Sequence, residues 1–212
     1  MMTTGSTDIA GLVLCGGRSS RMGGGDKTLL PLGGSTILSR IVERLGQLRP
    51  LAISANGDPA RFSGLGLPIL ADTVPGYAGP LAGILAGMSW AAGEGRDRLL
   101  TVAGDTPFFP TDLAWRLATA TAGQSERIAV ASSDNRRHPV FALWPTALRD
   151  DLNHFLAESG TGRVNTFIDL HDPVDVAFPL AEHHGRSIDP FFNVNTPADL
   201  AEAERIAQMI EP

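Results

Sequence analysis

The apolar run Ala10-Gly11-Leu12-Val13-Leu14 empties directly into a loop, residues 15–27, in which five of thirteen residues are glycine and Arg18, Arg21 and Lys27 are basic. A buried strand that opens into glycines and cations presents backbone N–H groups to an anion. The loop is therefore expected to bind phosphate; the alternative is a flexible surface loop whose glycines only permit turns. Two familiar phosphate loops do not match it. A Walker A loop has Gly before Lys-Ser/Thr, whereas Asp26 precedes Lys27-Thr28 here, and an acidic side chain would face phosphate. The run Gly16-Gly17-Arg18-Ser19-Ser20-Arg21 also lacks the Gly-x-Gly-x-x-Gly spacing of a dinucleotide fingerprint.

The rest of the chain alternates short β-like runs with helical patterns. Ser35 is expected to cap a helix carrying Ile37, Leu38, Ile41, Leu45 and Leu48 at helical spacing. Leu51 to Ser54 reads as a strand ending at the Asn56-Gly57 turn, and Leu67 to Leu70 as another, closed by Asp72. A helix follows from about Leu81 to Ala92, then the strand Leu99 to Ala103, ending at Gly104-Asp105-Thr106-Pro107. Thr111 opens a helix through Trp115 and Leu117; strands over 128–131 and 140–143 and a helix over 148–156 follow. Thr196 caps the last helix, with Pro197 in its first position and Asp199 in its first turn. This βαβα order predicts an α/β fold: one three-layer α/β/α domain spanning 1–212, with a mostly parallel, Rossmann-like sheet. Ligands of such sheets sit outside the carboxyl ends of the strands, where Gly16-Gly17, Asn56, Asp72 and Asp105 would converge.

Composition narrows the function. A net charge of −6 gives no whole-chain footprint for nucleic acid. One cysteine excludes an internal disulfide framework and a cysteine-rich zinc site. The first ten residues lack the basic start and apolar core of a secretion signal, and no apolar run approaches a membrane span, so a cytoplasmic protein is expected.

The stretch Leu14-Cys15-Gly16-Gly17-Arg18-Ser19-Ser20-Arg21-Met22-Gly23-Gly24-Gly25-Asp26-Lys27 resembles the signature loop of nucleotidyltransferases that activate sugars, pterins and polyols. Its Gly-Gly and Asp-Lys resemble the molybdenum cofactor guanylyltransferase (MobA) family. The resemblance continues through Ser54-Ala55-Asn56, Asp72, Gly79-Pro80-Leu81-Ala82-Gly83, Ala103 to Pro107 and Asn193-Val194-Asn195-Thr196-Pro197. Cys15 stands where alanine is more common in the family. The resemblance implies transfer of GMP from GTP to molybdopterin, with Mg2+ as cofactor, GTP and metal bound by the N-terminal half and molybdopterin by the C-terminal half. It also implies passing contact with proteins that deliver molybdopterin and with the apo-molybdoenzymes that receive the product.

Site roles follow from the resemblance, each beside a simpler reading. Lys27 and Arg21 would act on the triphosphate and leaving pyrophosphate, and Arg18 would contact phosphate or belong to a solvated basic loop. Asp105 would hold the metal, or only form a turn. Leu14, Cys15, Gly16 and Gly17 would lie against the base; Asn56, Asp72 and Gly79 would surround base and ribose, although turn formation explains the first two almost as well. Asn193 and Asn195 are expected to alternate on a strand and face the second substrate or metal. Arg163 would meet pterin or phosphate, and His138 begins a strand on that side. His183-His184 read as exposed loop residues, and the Trp and Met residues as core or sheet-edge ones. Gly16, commonly alanine in cytidylyltransferase relatives, would favour GTP over CTP. The competing functions are a molybdopterin cytidylyltransferase, another sugar- or polyol-phosphate nucleotidyltransferase, and a nucleotide-binding regulator.

Overall fold

The structure is a computed structural model and describes residues 8–16, 26–74, 79–159 and 163–210. The strands are β1 (Ile9–Leu14), β2 (Pro31–Leu32), β3 (Ser35–Thr36), β4 (Leu51–Ser54), β5 (Ile69–Leu70), β6 (Arg98–Ala103), β7 (Ala129–Ser133), β8 (Arg136–Pro145), β9 (Val174–Ala177), β10 (Ala181–His183) and β11 (Arg186–Ile188). The helices are α1 (Ile37–Arg44), α2 (Pro80–Gly93), α3 (Leu113–Ala120), α4 (Arg149–Ser159), α5 (Val164–Asp169) and α6 (Pro197–Ile210).

Seven strands form one sheet in the order β5-β4-β1-β6-β8-β7-β9. The pairings β4–β5, β1–β4, β1–β6 and β7–β9 are parallel, and β8 alone runs antiparallel to its neighbours β6 and β7. The chain lays down β1, β4 and β5 in one direction, then returns to place β6 on the other side of β1. The β1/β6 junction is thus the topological switch point, where the carboxyl ends of such sheets open a crevice.

Both faces of the sheet are covered, which accounts for the nearly continuous apolar strands. Val13, Ile53, Leu100 and Val102 point to one core with Ile37, Leu38 and Ile41 of α1, Leu113 and Leu117 of α3, and Ile206 of α6. Their alternates Leu12, Ala52 and Leu99 point to the other, with Leu81, Ile84 and Met88 of α2, Leu152 of α4 and Phe167 of α5. Gly83 lets α2 approach this second face closely: a Cβ there would lie 2.5 Å from Ser54 Oγ and 3.1 Å from Leu14 Cδ2. The predicted three-layer α/β class is what the chain adopts.

Several local expectations are corrected. Thr36, not Ser35, caps α1: its Oγ1 accepts a hydrogen bond from Ser39 N at 3.1 Å, while Ser35 is paired with Leu32 in the β2–β3 hairpin. The helix ends at Arg44, leaving Leu45 as its C-cap and Leu48 beyond it. The strand expected from Leu67 shortens to Ile69–Leu70, and α3 starts at Leu113 behind Asp112 rather than at Thr111. Trp115 is 67% exposed, unlike buried Trp144, so it is not a core residue. His183 closes β10 half-buried; only His184 lies exposed in the following turn. Thr196 caps α6 as expected, and Asp199 adds to it by accepting from Thr196 N at 2.8 Å, a reciprocal capping arrangement.

Candidate active site

Parallel strands end on the same edge of a sheet, which sets Cys15-Gly16, Asn56, Asp72 and Asp105 along one rim. Gly104 N donates to Leu14 O at 2.9 Å and Cys15 N to Ser54 O at 2.8 Å, so the strand ends are laced together just before the site begins. Gly104 is required by this closeness. A Cβ there would lie 2.8 Å from Cys15 Sγ and 3.0 Å from the Leu14 carbonyl oxygen.

At the switch point, Asp26 ends the glycine loop by capping a short 3-10 helix, Lys27–Leu29; its carboxylate accepts from Thr28 N and Thr28 Oγ1. That turn directs Lys27 across to β6. Lys27 Nζ lies 2.5 Å from Asp105 Oδ2 and donates to Asn195 Oδ1 at 2.8 Å. Thr106 Oγ1 donates to Asn193 Oδ1 at 2.8 Å and approaches Asp105 Oδ1 at 3.2 Å. Asn193 and Asn195 do not belong to a strand; the segment is instead joined to the end of β6 by one bond, Val194 N to Asp105 O at 2.8 Å. Val194 is buried while both asparagines are exposed, so the expected alternation survives without a sheet partner.

A second group lies on the same rim. Asn56 Nδ2 donates to Asp72 Oδ2 at 2.7 Å, and Asp72 N returns a bond to Asn56 Oδ1 at 3.0 Å. Gly79 is the N-cap of α2, whose Gly83 stands beside Asp72 and Ser54. Gly16 is exposed, and a Cβ on it would meet none of the described residues within 4 Å. Cys15 is buried against Thr28 and Gly104; its thiol pKa is pushed up to about 12, by burial first and by the Asp26 carboxylate next, so it stays a protonated packing group. Arg163 is the exposed N-cap residue of α5. Gly17, Arg18 and Arg21 lie outside the described residues.

The structure adds groups that sequence reading did not single out. Thr106 is one. Another is a buttress under the asparagine segment: Ser133 Oγ donates to Asp189 Oδ1 at 2.8 Å, which leaves Ser133 to accept from His138 Nε2 at 2.7 Å and fixes the proton of that imidazole on Nε2. Asp189 also accepts from Phe191 N, and the His138 ring stacks on Phe191 at 4.4 Å between centroids. Burial holds the His138 pKa below the usual histidine value, against the pull of Asp189. The third is Arg61, paired with Asp26. The pairing of Asp189 with Ser133 joins residues 56 apart and has no local sequence signal.

Residues 11–174 match the family described as MobA-like NTP transferase domain. The chain is 58% identical over 203 residues to a protein named molybdenum cofactor guanylyltransferase from Mesorhizobium japonicum, covering 95% of this chain and 97% of that one. Among solved structures it resembles molybdopterin-guanine dinucleotide biosynthesis protein A from Archaeoglobus fulgidus, with a TM-score of 0.68 at 22% identity over 94% of this chain and 98% of that one. It also resembles Rv0371c of Mycobacterium tuberculosis, solved in complex with manganese, with a TM-score of 0.66 at 18% identity over 94% and 99% of the two chains. Structural likeness at these identities shows a shared fold. The match over most of the chain shows that it belongs to the MobA-like NTP transferase family, among the molybdenum cofactor guanylyltransferases.

Proposed function

We propose that the chain transfers GMP from GTP to molybdopterin, forming molybdopterin guanine dinucleotide and pyrophosphate. The observation that carries this reading is the pairing of a loop lysine with a strand-end aspartate at the switch point, Lys27 with Asp105, ringed by amide oxygens. An oxygen of the molybdopterin phosphate forms a bond to the α-phosphorus of GTP. The bond from that phosphorus to the oxygen bridging to the β-phosphate breaks, and pyrophosphate leaves with the electron pair. The attacking group is already a phosphate, so no side-chain nucleophile is needed. Catalysis then consists of positioning and charge stabilisation.

Asp105 Oδ1 and Oδ2, with Asn193 Oδ1 nearby through Thr106, form an all-oxygen donor set around one carboxylate. Magnesium favours one or two carboxylates plus substrate phosphate oxygens, and this set fits it. When bound, Mg2+ would neutralise charge on the α-phosphate and departing pyrophosphate, with Asp105 as its protein ligand. Lys27 is the cation that follows phosphate charge as it moves to the leaving group, a task suited to a compact ammonium on a flexible stem. Asn195 holds that ammonium at the crevice, and Asn193 keeps Thr106 turned toward Asp105. Asn56, Asp72 and the N-terminus of α2 at Gly79 line the base and ribose side, and Arg18 and Arg21 complete the phosphate side. Arg163, Asn193 and Asn195 belong to the molybdopterin half, and the protein works in the cytoplasm.

The test is pyrophosphate release with molybdopterin and each of GTP, CTP and ATP. Release with GTP above the others supports the reading. Preference for CTP would assign the chain to cytidylyl transfer, and nucleotide binding without release would make it a regulator.

A further inference from the structure

We infer that Arg61 is a positioning residue that shields the triphosphate site from the carboxylate of Asp26; this rests on the GTP-binding reading above. The problem it answers is electrostatic. Asp26 immediately precedes Lys27, so an acidic side chain stands next to the ammonium that would meet phosphate. Left unpaired, that carboxylate would repel the triphosphate and compete with it for Lys27.

Both Asp26 oxygens are paired. Oδ1 accepts from Thr28 N at 3.1 Å and from Thr28 Oγ1 at 2.7 Å. Oδ2 faces Arg61 Nε at 3.1 Å. The same guanidinium donates from Nη2 to Asn56 O at 2.8 Å and lies over the Phe62 ring, 4.7 Å from its centroid. Phe62 is buried and fixes where Arg61 starts. Asn56 in turn holds Asp72. One side chain therefore neutralises the charge beside Lys27 and ties the phosphate end of the crevice, after β1, to the opposite end, after β4 and β5. The pair is half-buried, with the Asp26 side chain 16% and the Arg61 side chain 32% exposed, so its part in folding is read separately from its part in GTP binding.

The experiment is calorimetric titration of GTP with Mg2+ into the full chain and into R61A, R61K, D26N and the double variant R61A/D26N, with folding checked by circular dichroism. R61A should weaken GTP binding about fivefold, the size of one unscreened like charge at the edge of an anion site. R61K, which keeps the charge, should stay within about twofold of the parent. In the D26N background, removing Arg61 should cost less than about twofold, because the carboxylate it shields is gone. The R61A penalty should also shrink as salt is raised. If R61A folds poorly, neutral R61Q, which keeps the stem over Phe62, reads the same charge. An equal loss in both backgrounds, or no loss at all, would overturn the inference while leaving GTP binding intact. A folded parent that binds no GTP would instead overturn the guanylyltransferase reading and the inference with it.

Discussion

Lys27 Nζ lies 2.5 Å from Asp105 Oδ2 across the β1/β6 switch point, joining residues 78 apart in sequence. The ammonium and the carboxylate thus hold each other's charge. Substrate with its metal would divide the pair, the ammonium going to phosphate and the carboxylate to the cation.

Asp105→Asn keeps the shape of the side chain and removes its charge. The variant should fold, as read by circular dichroism, and lose more than about one hundredfold in turnover, since about 3 kcal/mol of transition-state stabilisation is at stake. Turnover within about threefold of the parent would remove Asp105 from the metal role.

Lys27→Ala should lower kcat together with GTP affinity, because its charge matters most as pyrophosphate departs. Steady-state kinetics separates the two effects. A raised KM with unchanged kcat would make Lys27 a binding residue only.

Gly83→Ala places a methyl 2.5 Å from Ser54 Oγ and 3.1 Å from Leu14 Cδ2, so these side chains or the helix itself must shift to admit it. Overpacking of this kind costs about 1–3 kcal/mol, so thermal unfolding should shift down by roughly 2–12 °C. An unchanged Tm would show that the helix–strand approach is looser than the structure has it.

The pH dependence of stability has a defined sign. Burial holds the pKa of His138, and likewise of His171, below the usual histidine value of about 6.5. The unfolded chain therefore takes up protons that the folded one refuses as pH falls below about 6.5, and stability is lost in that direction. Replacing both by glutamine should flatten the fall of urea-unfolding free energy between about pH 7 and pH 5. A slope unchanged by the double substitution would contradict imidazoles held neutral in the folded chain.

Much of the fold was legible because periodicity and strand-end chemistry are local. β1, β4 and β6 read as apolar runs, and the aspartate after β6 and the lysine after the glycine loop were identifiable as separate residues. Their contact was not. It depends on β6 returning to the other side of β1, which no window of sequence encodes. The cap of α1 lies one residue beyond the one expected because Ser35 and Thr36 are both good caps, and the β2–β3 hairpin decides between them. The asparagine pair looked like a strand because extended backbone alternates with or without a sheet partner, and one bond to Asp105 O supplies what the ladder would have. Arg61 gave no signal, since its partners Asp26 and Asn56 lie on other elements.

Gly16→Ala probes nucleotide choice. Among the described residues the added methyl meets no protein atom, so an effect on base choice is expected to come from the nucleotide. The ratio of kcat/KM for GTP to that for CTP should fall, because the methyl narrows the wall where a two-ring base would lie. An unshifted ratio would clear Gly16 of any part in base selection.

The central claim is tested most directly by following pyrophosphate release from the purified protein with Mg2+, molybdopterin and GTP, beside parallel reactions with CTP and ATP. The expected result is release that requires molybdopterin, is fastest with GTP and is abolished by Asp105→Asn. Release that is faster with CTP, or none with any nucleotide while GTP still binds, would contradict it.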